Sequence, residues 1–441
     1  MSQINNFAPP LDRFLWGTAS AAHQVEGHNY NSDWWQFEKE GRVKNGDTSE
    51  IACLHYEMYK EDFDLMRDLG HNAHRLSIEW SRIEPNEGEF DKEQINHYKN
   101  VISYLVSKGL TPVVTLHHFT SPLWFVRKGG FESSESSKVF ARFVKTVVQA
   151  LDESINIWIT INEPLIYAYL GWVTGKFPPC KRNPLLAFKV IKNLTLSHML
   201  AYEAIKTRFP GALVGIAHHM RAYRPAKPWY PLDIALSRTA HFLMNNWILD
   251  ALQFGKLNPP IGHGQKIDGL KGSIDFLGIN YYAKDYLHFK TLPVPRVENV
   301  VPNFEAKNKC DAGWIIYPQG FYEAIYTAHV RGLPILITEN GVATEDDALR
   351  VSFIESHLSQ MFEAIKQGCR VIGYLHWTFT DNFEWADGYS LKFGIVEIKK
   401  PSMERVPKQS AYFYKKQIQK YNELLLAMYC TRSKASQNTQ Q

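Results

Sequence analysis

The sequence predicts a single-domain α/β protein folded as a (β/α)8 barrel. Three observations carry that expectation. Eight short β-branched or aliphatic runs recur along the whole chain, amphipathic stretches with helical spacing lie between them, and several runs start apolar and finish polar. An open doubly wound sheet would want a Gly-rich phosphate loop after an early strand. Neither G-x-G-x-x-G nor G-x-x-x-x-G-K-[ST] occurs.

The eight expected strands are FLWGTAS (14–20), NAHRLSIEW (72–80), TPVVTLHH (111–118), IWITINE (157–163), LVGIAHHM (213–220), DFLGINYY (275–282), PILITEN (334–340) and VIGYLHWTF (371–379). Each is rich in the β-branched and aromatic residues that fill a pleated, buried surface. The expected helices begin with 56–70, where Met58, Phe63, Leu65, Met66 and Leu69 form an apolar stripe, and 136–154. Others lie near 185–209, 235–254, 319–331 and 350–367, with a last one at 409–427. The pieces 21–55, 165–185 and 283–318 are expected as βα loops walling a cleft. Residues 1–430 then make one barrel domain, and the polar 431–441 (TRSKASQNTQQ) a flexible tail.

Composition excludes several classes. The 441 residues are 45% hydrophobic and 21% charged, the balance of a globular chain. Lys+Arg 49 against Asp+Glu 45 leaves a net charge of +4, too weak for a nucleic-acid footprint. No apolar run reaches the ~18 residues of a membrane span. The opening MSQINNFAPPLDRF has no basic segment before an apolar stretch, so no secretory leader is expected. Five scattered cysteines without a CxxC argue against a disulfide framework and a cysteine zinc site, and fit a cytoplasmic location.

Two carboxylates stand out. Glu163 ends one strand before Pro164, and Glu339 ends another before Asn340-Gly341. At the C-terminal mouth of a barrel they would converge. Two carboxyls in one low-dielectric cleft split their pKa values into an acid and an anion, which is what glycosidic cleavage needs. Arg75, charged and mid-strand, would keep Glu339 ionised if it lay beside it. In His117-His118 and His218-His219 only one of each pair can face the barrel. No HExxH or similar ligand spacing occurs, so no metal is expected. Trp377, Glu384 and Trp385 follow the eighth strand and combine ring faces with a carboxylate, as sugar sites do. A Ser-His-Asp hydrolase fits poorly without G-x-S-x-G, and no strand ends in the lysine of a Schiff-base enzyme.

FLWGTASAAHQVEG (14–27), TLHHFTSPLW (115–124), TINEP (160–164), NYY (280–282), ITENG (337–341) and WTFTDNFEWADGY (377–389) together resemble glycoside hydrolase family 1, over about residues 10–415. The resemblance implies a retaining β-glycosidase that needs no metal or cofactor. It implies Glu163 as general acid/base and Glu339 as nucleophile. Arg75 and Tyr282 would hold the nucleophile, and Asn162 would bind the sugar 2-hydroxyl. Gln24, His118, Glu384 and Trp385 would bind the other hydroxyls, with Trp377 as the platform beneath the ring. Phe119 stands where many members carry Trp. The expected activity is exo-acting hydrolysis of unphosphorylated β-D-glucosides, with β-D-galactosides and β-D-fucosides as related candidates. The expected partner is a small glycoside or oligosaccharide. A non-catalytic sugar-binding relative would have lost one of the two glutamates, and both are present.

Overall fold

In the computed structural model, residues 13–151, 154–290 and 296–438 are described, with side chains of the last helix described as far as Met428. Eight strands form a parallel barrel: β1 (Leu15–Ala19), β2 (Ala73–Ser77), β3 (Thr111–Thr115), β4 (Ile157–Asn162), β5 (Leu213–Pro225), β6 (Phe276–Lys290), β7 (Ile335–Asn340) and β8 (Val371–Trp377). Each pairs with the next, and β8 pairs with β1, so the sheet closes. All eight expected runs are strands of this one sheet. β2, β4, β7 and β8 are buried along their whole length, as strands covered on both faces must be.

Helices cover the barrel. They include His55–Asp68, Ser136–Ala150, Pro184–Arg208, Pro318–His329, Asp347–Lys366 and Gln409–Asn438. Ser136–Ala150 shows why they dock: Phe140, Phe143, Val144, Val147 and Val148 share its inner face. The longest helix not singled out from sequence is Lys92–Ser107. Its signals are an Asp91 cap that accepts from the Glu93 and Gln94 amides, and an inner stripe of Tyr98, Val101, Ile102 and Leu105. The polar opening KEQINHYKN masks that stripe. Of the expected 431–441 tail, the final helix includes residues up to Asn438, and 439–441 lie outside the described residues.

The loop expected over 283–318 is partly sheet. β6 continues to Lys290, and Arg296–Val300 returns antiparallel to it. β5 likewise outruns its expected end at 220 and reaches Pro225. Past a register shift after Met220, Ala222 to Pro225 pair with Lys284 to Leu287 above the barrel rim. These extensions are rich in charge, so hydropathy did not mark them as strand. Their charges are paired, Arg221 with Asp285 at 3.0 Å, Arg224 with Glu323 and Lys284 with Glu305.

Two details aim the mouth. A Cβ on Gly341 would lie 1.9 Å from the Trp377 carbonyl, so only glycine lets the end of β7 close onto the end of β8. Asp33, at the start of the helix Asp33–Lys39, ties the loop after β1 to the loop after β3: its Oδ1 accepts from the Ser121 amide at 2.9 Å, and its amide donates to the Ser121 carbonyl at 3.0 Å.

Burial pushes the Asp33 carboxyl from 3.8 to about 7. Its folded pKa lies above its unfolded one, so the stability it contributes is present at low pH and is lost as pH rises toward about 7. Asp33→Asn removes this titration and keeps an acceptor oxygen. Between pH 5 and 8 the unfolding free energy of Asp33→Asn should therefore gain about 2–3 kcal/mol relative to the unsubstituted protein. Chemical unfolding at the two pH values measures it; an unchanged difference would contradict the buried, protonated Asp33.

Candidate active site

The sequence places its polar residues at the C-terminal strand ends, and the structure gathers them in one cavity of about 840 Å³. His118, Asn162, Glu163, Tyr282, Glu339, Trp377, Glu384 and Trp385 line it, as does Phe119. Arg75 is fully buried beneath them, and Gln24 is buried beside Glu384. All ten candidate residues are therefore brought together around the barrel mouth.

Local backbone explains how the two glutamates turn inward. Pairing of β4 with β5 shifts register between Ile159 and Asn162, and that of β7 with both neighbours shifts between Ile337 and Asn340. Such irregularities re-aim side chains at a barrel rim. Glu163 also takes φ 44°, in the left-handed region, immediately before the short helix Pro164–Ala168. A non-glycine residue held there stores roughly 1–3 kcal/mol.

Arg75 Nη1 donates to Glu339 Oε1 at 2.5 Å, and the Tyr282 hydroxyl donates to Glu339 Oε2. Arg75 Nη2 donates to Asn162 Oδ1 at 2.8 Å, and Nε donates to Thr115 Oγ1 at 3.0 Å. Asn280, which sequence reading did not assign, joins the two halves. Its amide donates to Glu163 Oε1 at 2.8 Å and to Asn162 Oδ1 at 3.1 Å, and its own Oδ1 accepts from Thr338 at 2.6 Å. His219 is the second unassigned contact: its Nδ1 lies 3.1 Å from Glu163 Oε1. NYY (280–282) and the HH pair were visible signals, but partnership across strands was not. The pairs split as alternation requires. His118 and His219 face the cavity, while His117 packs among Phe131 and Tyr167 and His218 bonds the Asn245 carbonyl.

The carboxyls feel opposed influences. Burial raises Glu339, and the like charge of Glu163 adds to this; Arg75 and Tyr282 pull it back. Burial also pushes Glu163 up, but the His219 charge and hydrogen bond, with the Asn280 amide, outweigh it and hold Glu163 below the usual range. Burial, with the neighbouring carboxylates, raises Tyr282 well above its ordinary value, so its hydroxyl remains a donor.

The other end of the cavity is an acceptor surface. Gln24 Nε2 donates to the Phe383 carbonyl at 2.8 Å and to Glu384 Oε2 at 3.3 Å. Gln24 Oε1 and Glu384 Oε1 are buried with no partner. Such atoms call for hydroxyl donors from a ligand. Burial raises Glu384 well above the carboxylate range, and Glu339 and Asp381 add to it. The His118 ring lies near-parallel to those of Trp377 and Trp385, its centroid 5.9 Å from each. Phe119 has φ 71° and meets Trp385 edge-on at 5.3 Å, so it braces this aromatic wall. Among the described residues no group of three or more His, Cys, Asp or Glu could hold a metal ion, and no helix is long and apolar enough to cross a membrane.

A closed parallel barrel with paired glutamates and hydroxyl acceptors at its mouth places the protein with the barrel glycoside hydrolases. More narrowly, the chain belongs to glycosyl hydrolase family 1, whose profile matches residues 9–423. β-Glucosidase A of Thermotoga maritima is 32% identical over 91% of this chain and 96% of its own. The β-galactosidase of Pyrococcus woesei is 29% identical over 91% and 95%. Among solved structures, a β-glycosidase from Pyrococcus horikoshii superposes with a TM-score of 0.85, at 38% identity over 92% of this chain and 95% of that one. A β-glucosidase from Thermotoga maritima in complex with glucoimidazole gives 0.86, at 31% identity over 93% and 98%. The protein is a glycosidase of the β-glucosidase and β-galactosidase kind.

Proposed function

We propose that the protein is an exo-acting retaining β-glycosidase that hydrolyses unphosphorylated β-D-glucosides through a covalent glycosyl-enzyme. The observation that carries this reading is the asymmetry of the two glutamates. Glu339 is held on both oxygens, by Arg75 and Tyr282, whereas both bonds to Glu163 fall on Oε1. A carboxylate fixed at both oxygens suits a nucleophile. Oε2 of Glu163 is left to carry a proton.

Glu339 attacks the anomeric carbon while Glu163 protonates the departing oxygen. The negative charge of the pair belongs on Glu339, the carboxylate bonded on both oxygens by the Arg75 guanidinium and the Tyr282 hydroxyl. Once Glu339 is an uncharged ester, it no longer opposes ionisation of Glu163. Glu163 then serves as base toward the water that releases the sugar. In this reading Asn162 binds the 2-hydroxyl, and Gln24, His118, Glu384 and Trp385 bind the remaining hydroxyls, with the Trp377 ring beneath the sugar. The bare oxygens of Gln24 and Glu384 support a neutral sugar at the closed end. A phosphate there would have to bring its charge into this buried end against the unpartnered oxygens of Gln24 and Glu384. The cysteine pattern supports a cytoplasmic setting.

Glu339→Gly should abolish turnover of aryl β-glucosides, and added azide should restore part of it by attack from the vacated face, giving the α-glycosyl azide. Near-normal turnover without azide would remove Glu339 from the nucleophile role. Glu163→Ala should slow alkyl glucosides about 10²–10⁴-fold and dinitrophenyl glucosides far less in the glycosylation step, because only the poor leaving group needs a proton. Equal losses in that step would mean a structural Glu163. In the unsubstituted protein, kcat/KM on a β-glucoside should exceed that on its 6-phosphate; the reverse order would overturn the substrate class.

A further inference from the structure

Glu163 stands where β4 leaves its regular ladder, after a register shift between Ile159 and Asn162 and at a backbone φ of 44°. Its carboxyl therefore needs restraint from neighbouring strands. Two donors meet it, and both choose the same oxygen. The Asn280 amide on β6 reaches Oε1 at 2.8 Å, and His219 Nδ1 on β5 lies 3.1 Å from that atom. Among the described residues no donor reaches Oε2. A single donor fixes one oxygen and leaves the carboxyl free to swing about it. A second donor from another strand fixes the plane of the group, because hydrogen bonds at a carboxyl oxygen are directional.

His219 has little else to do. It is 9% exposed, and its Nε2 is buried with no partner. A buried polar atom without a partner is costly, so a residue that carries one needs a reason to be there. The adjacent His218 turns to the other face and bonds the Asn245 carbonyl. Asn280 is tied to Asn162 and Thr338 as well, so it is held whether or not Glu163 is present. For His219, Glu163 is the one polar partner among the described residues. The imidazole lies near-parallel to the Tyr282 ring, with centroids 6.2 Å apart, and the Tyr282 hydroxyl holds Glu339. One tyrosine thus braces the holder of each carboxyl. Two donors fill the two lone pairs of Oε1, so a proton on Glu163 goes to Oε2.

From this geometry we infer that His219 is a positioning residue for Glu163: with Asn280 it reserves Oε1 as the accepting oxygen and so fixes Oε2 as the oxygen that hands over the proton. This rests on the glycosidase reading above and adds a residue that acts through its acid. The role belongs to Nδ1 and not to the ring. An Asn side chain carries its amide nitrogen as many bonds from the backbone as Nδ1, whereas Gln carries it one bond further out, in the place of Nε2. Only the Asn amide can replace the contact.

The test is kcat/KM on β-glucosides whose leaving groups range from dinitrophenyl to alkyl. His219→Phe should slow alkyl glucosides about 10- to 100-fold, within the ~10²–10⁴ that a general acid supplies, and dinitrophenyl glucosides less than about threefold. His219→Asn should recover most of the alkyl rate, and His219→Gln should not. In a Glu163→Ala background, adding His219→Phe should change either rate less than about twofold, since effects that act through one group do not add. Equal losses on every leaving group, rescue by Gln as well as by Asn, or an undiminished effect in the Glu163→Ala protein would overturn the inference. An NMR titration of labelled glutamate carboxyls, with the Glu163 signal identified by its loss in Glu163→Gln, separates it from the catalytic reading. Arg75, Tyr282 and Glu339 face Glu163 alike in every His219 variant, so the difference reports His219. The Glu163 titration should move to higher pH in His219→Phe, which removes a group that holds it low, and move less in His219→Asn. That shift in a protein inactive on every glucoside would keep the His219 contact and discard the glycosidase. An unmoved titration would discard the contact whatever the activity.

Discussion

The guanidinium of Arg75 is the interaction around which the barrel mouth is organised. It is fully buried at the middle of β2, and it reaches Thr115 on β3, Asn162 on β4 and both Thr338 and Glu339 on β7. A buried charge persists only when paired and hydrogen-bonded. Arg75 meets that demand by recruiting the ends of three other strands. The cost of burying it is thereby turned into geometric definition, since the planar fork accepts few arrangements of its partners.

The rest of the polar network follows from that anchor. Asn162 accepts from Arg75 and Asn280 together, and its own amide lies 3.1 Å from His118 Nε2. Asn280 carries the chain of bonds on to Glu163 and Thr338. The two glutamates are thus linked through asparagines, which hold position without adding charge. That matters because any further charge would shift both carboxyls in a low-dielectric site. His219 is the exception, an imidazole whose Nδ1 contacts Glu163 directly. Around this polar centre the wall changes character. It is aromatic where His118, Trp377, Trp385 and Phe119 pack on one another, and aliphatic where the β4 and β5 segments meet the mouth.

Much of this was legible in the chain. The eight strands could be read because both faces of a barrel strand are buried, which makes each a short apolar run whatever its neighbours. The polar endings RLSIEW, TLHH, TINE and TEN marked the functional rim for the same reason: they interrupt burial where water and substrate enter. Legibility failed where pairing replaced burial. Ala222–Pro225 and Lys284–Leu287 are strand because they bond to each other above the rim, not because they are apolar. The helix Lys92–Ser107 was hidden by its polar first turns, although its inner stripe was present.

By itself, the sequence determined the barrel, the identity of the ten candidate residues and the strands or βα segments on which they lie. Hydrophobic period and residue type are local properties, and they survive in one dimension. Only the tertiary structure decided which carboxylate faces Arg75, that Asn280 joins the two halves, and that His219 rather than His218 meets Glu163. It alone turned Leu236, Ala240 and Met244 toward the cavity instead of the core. These are matters of distance between residues 56 to 264 positions apart or of orientation about a closed sheet. A periodic pattern says that a face is apolar; the packing of the whole barrel says what that face meets.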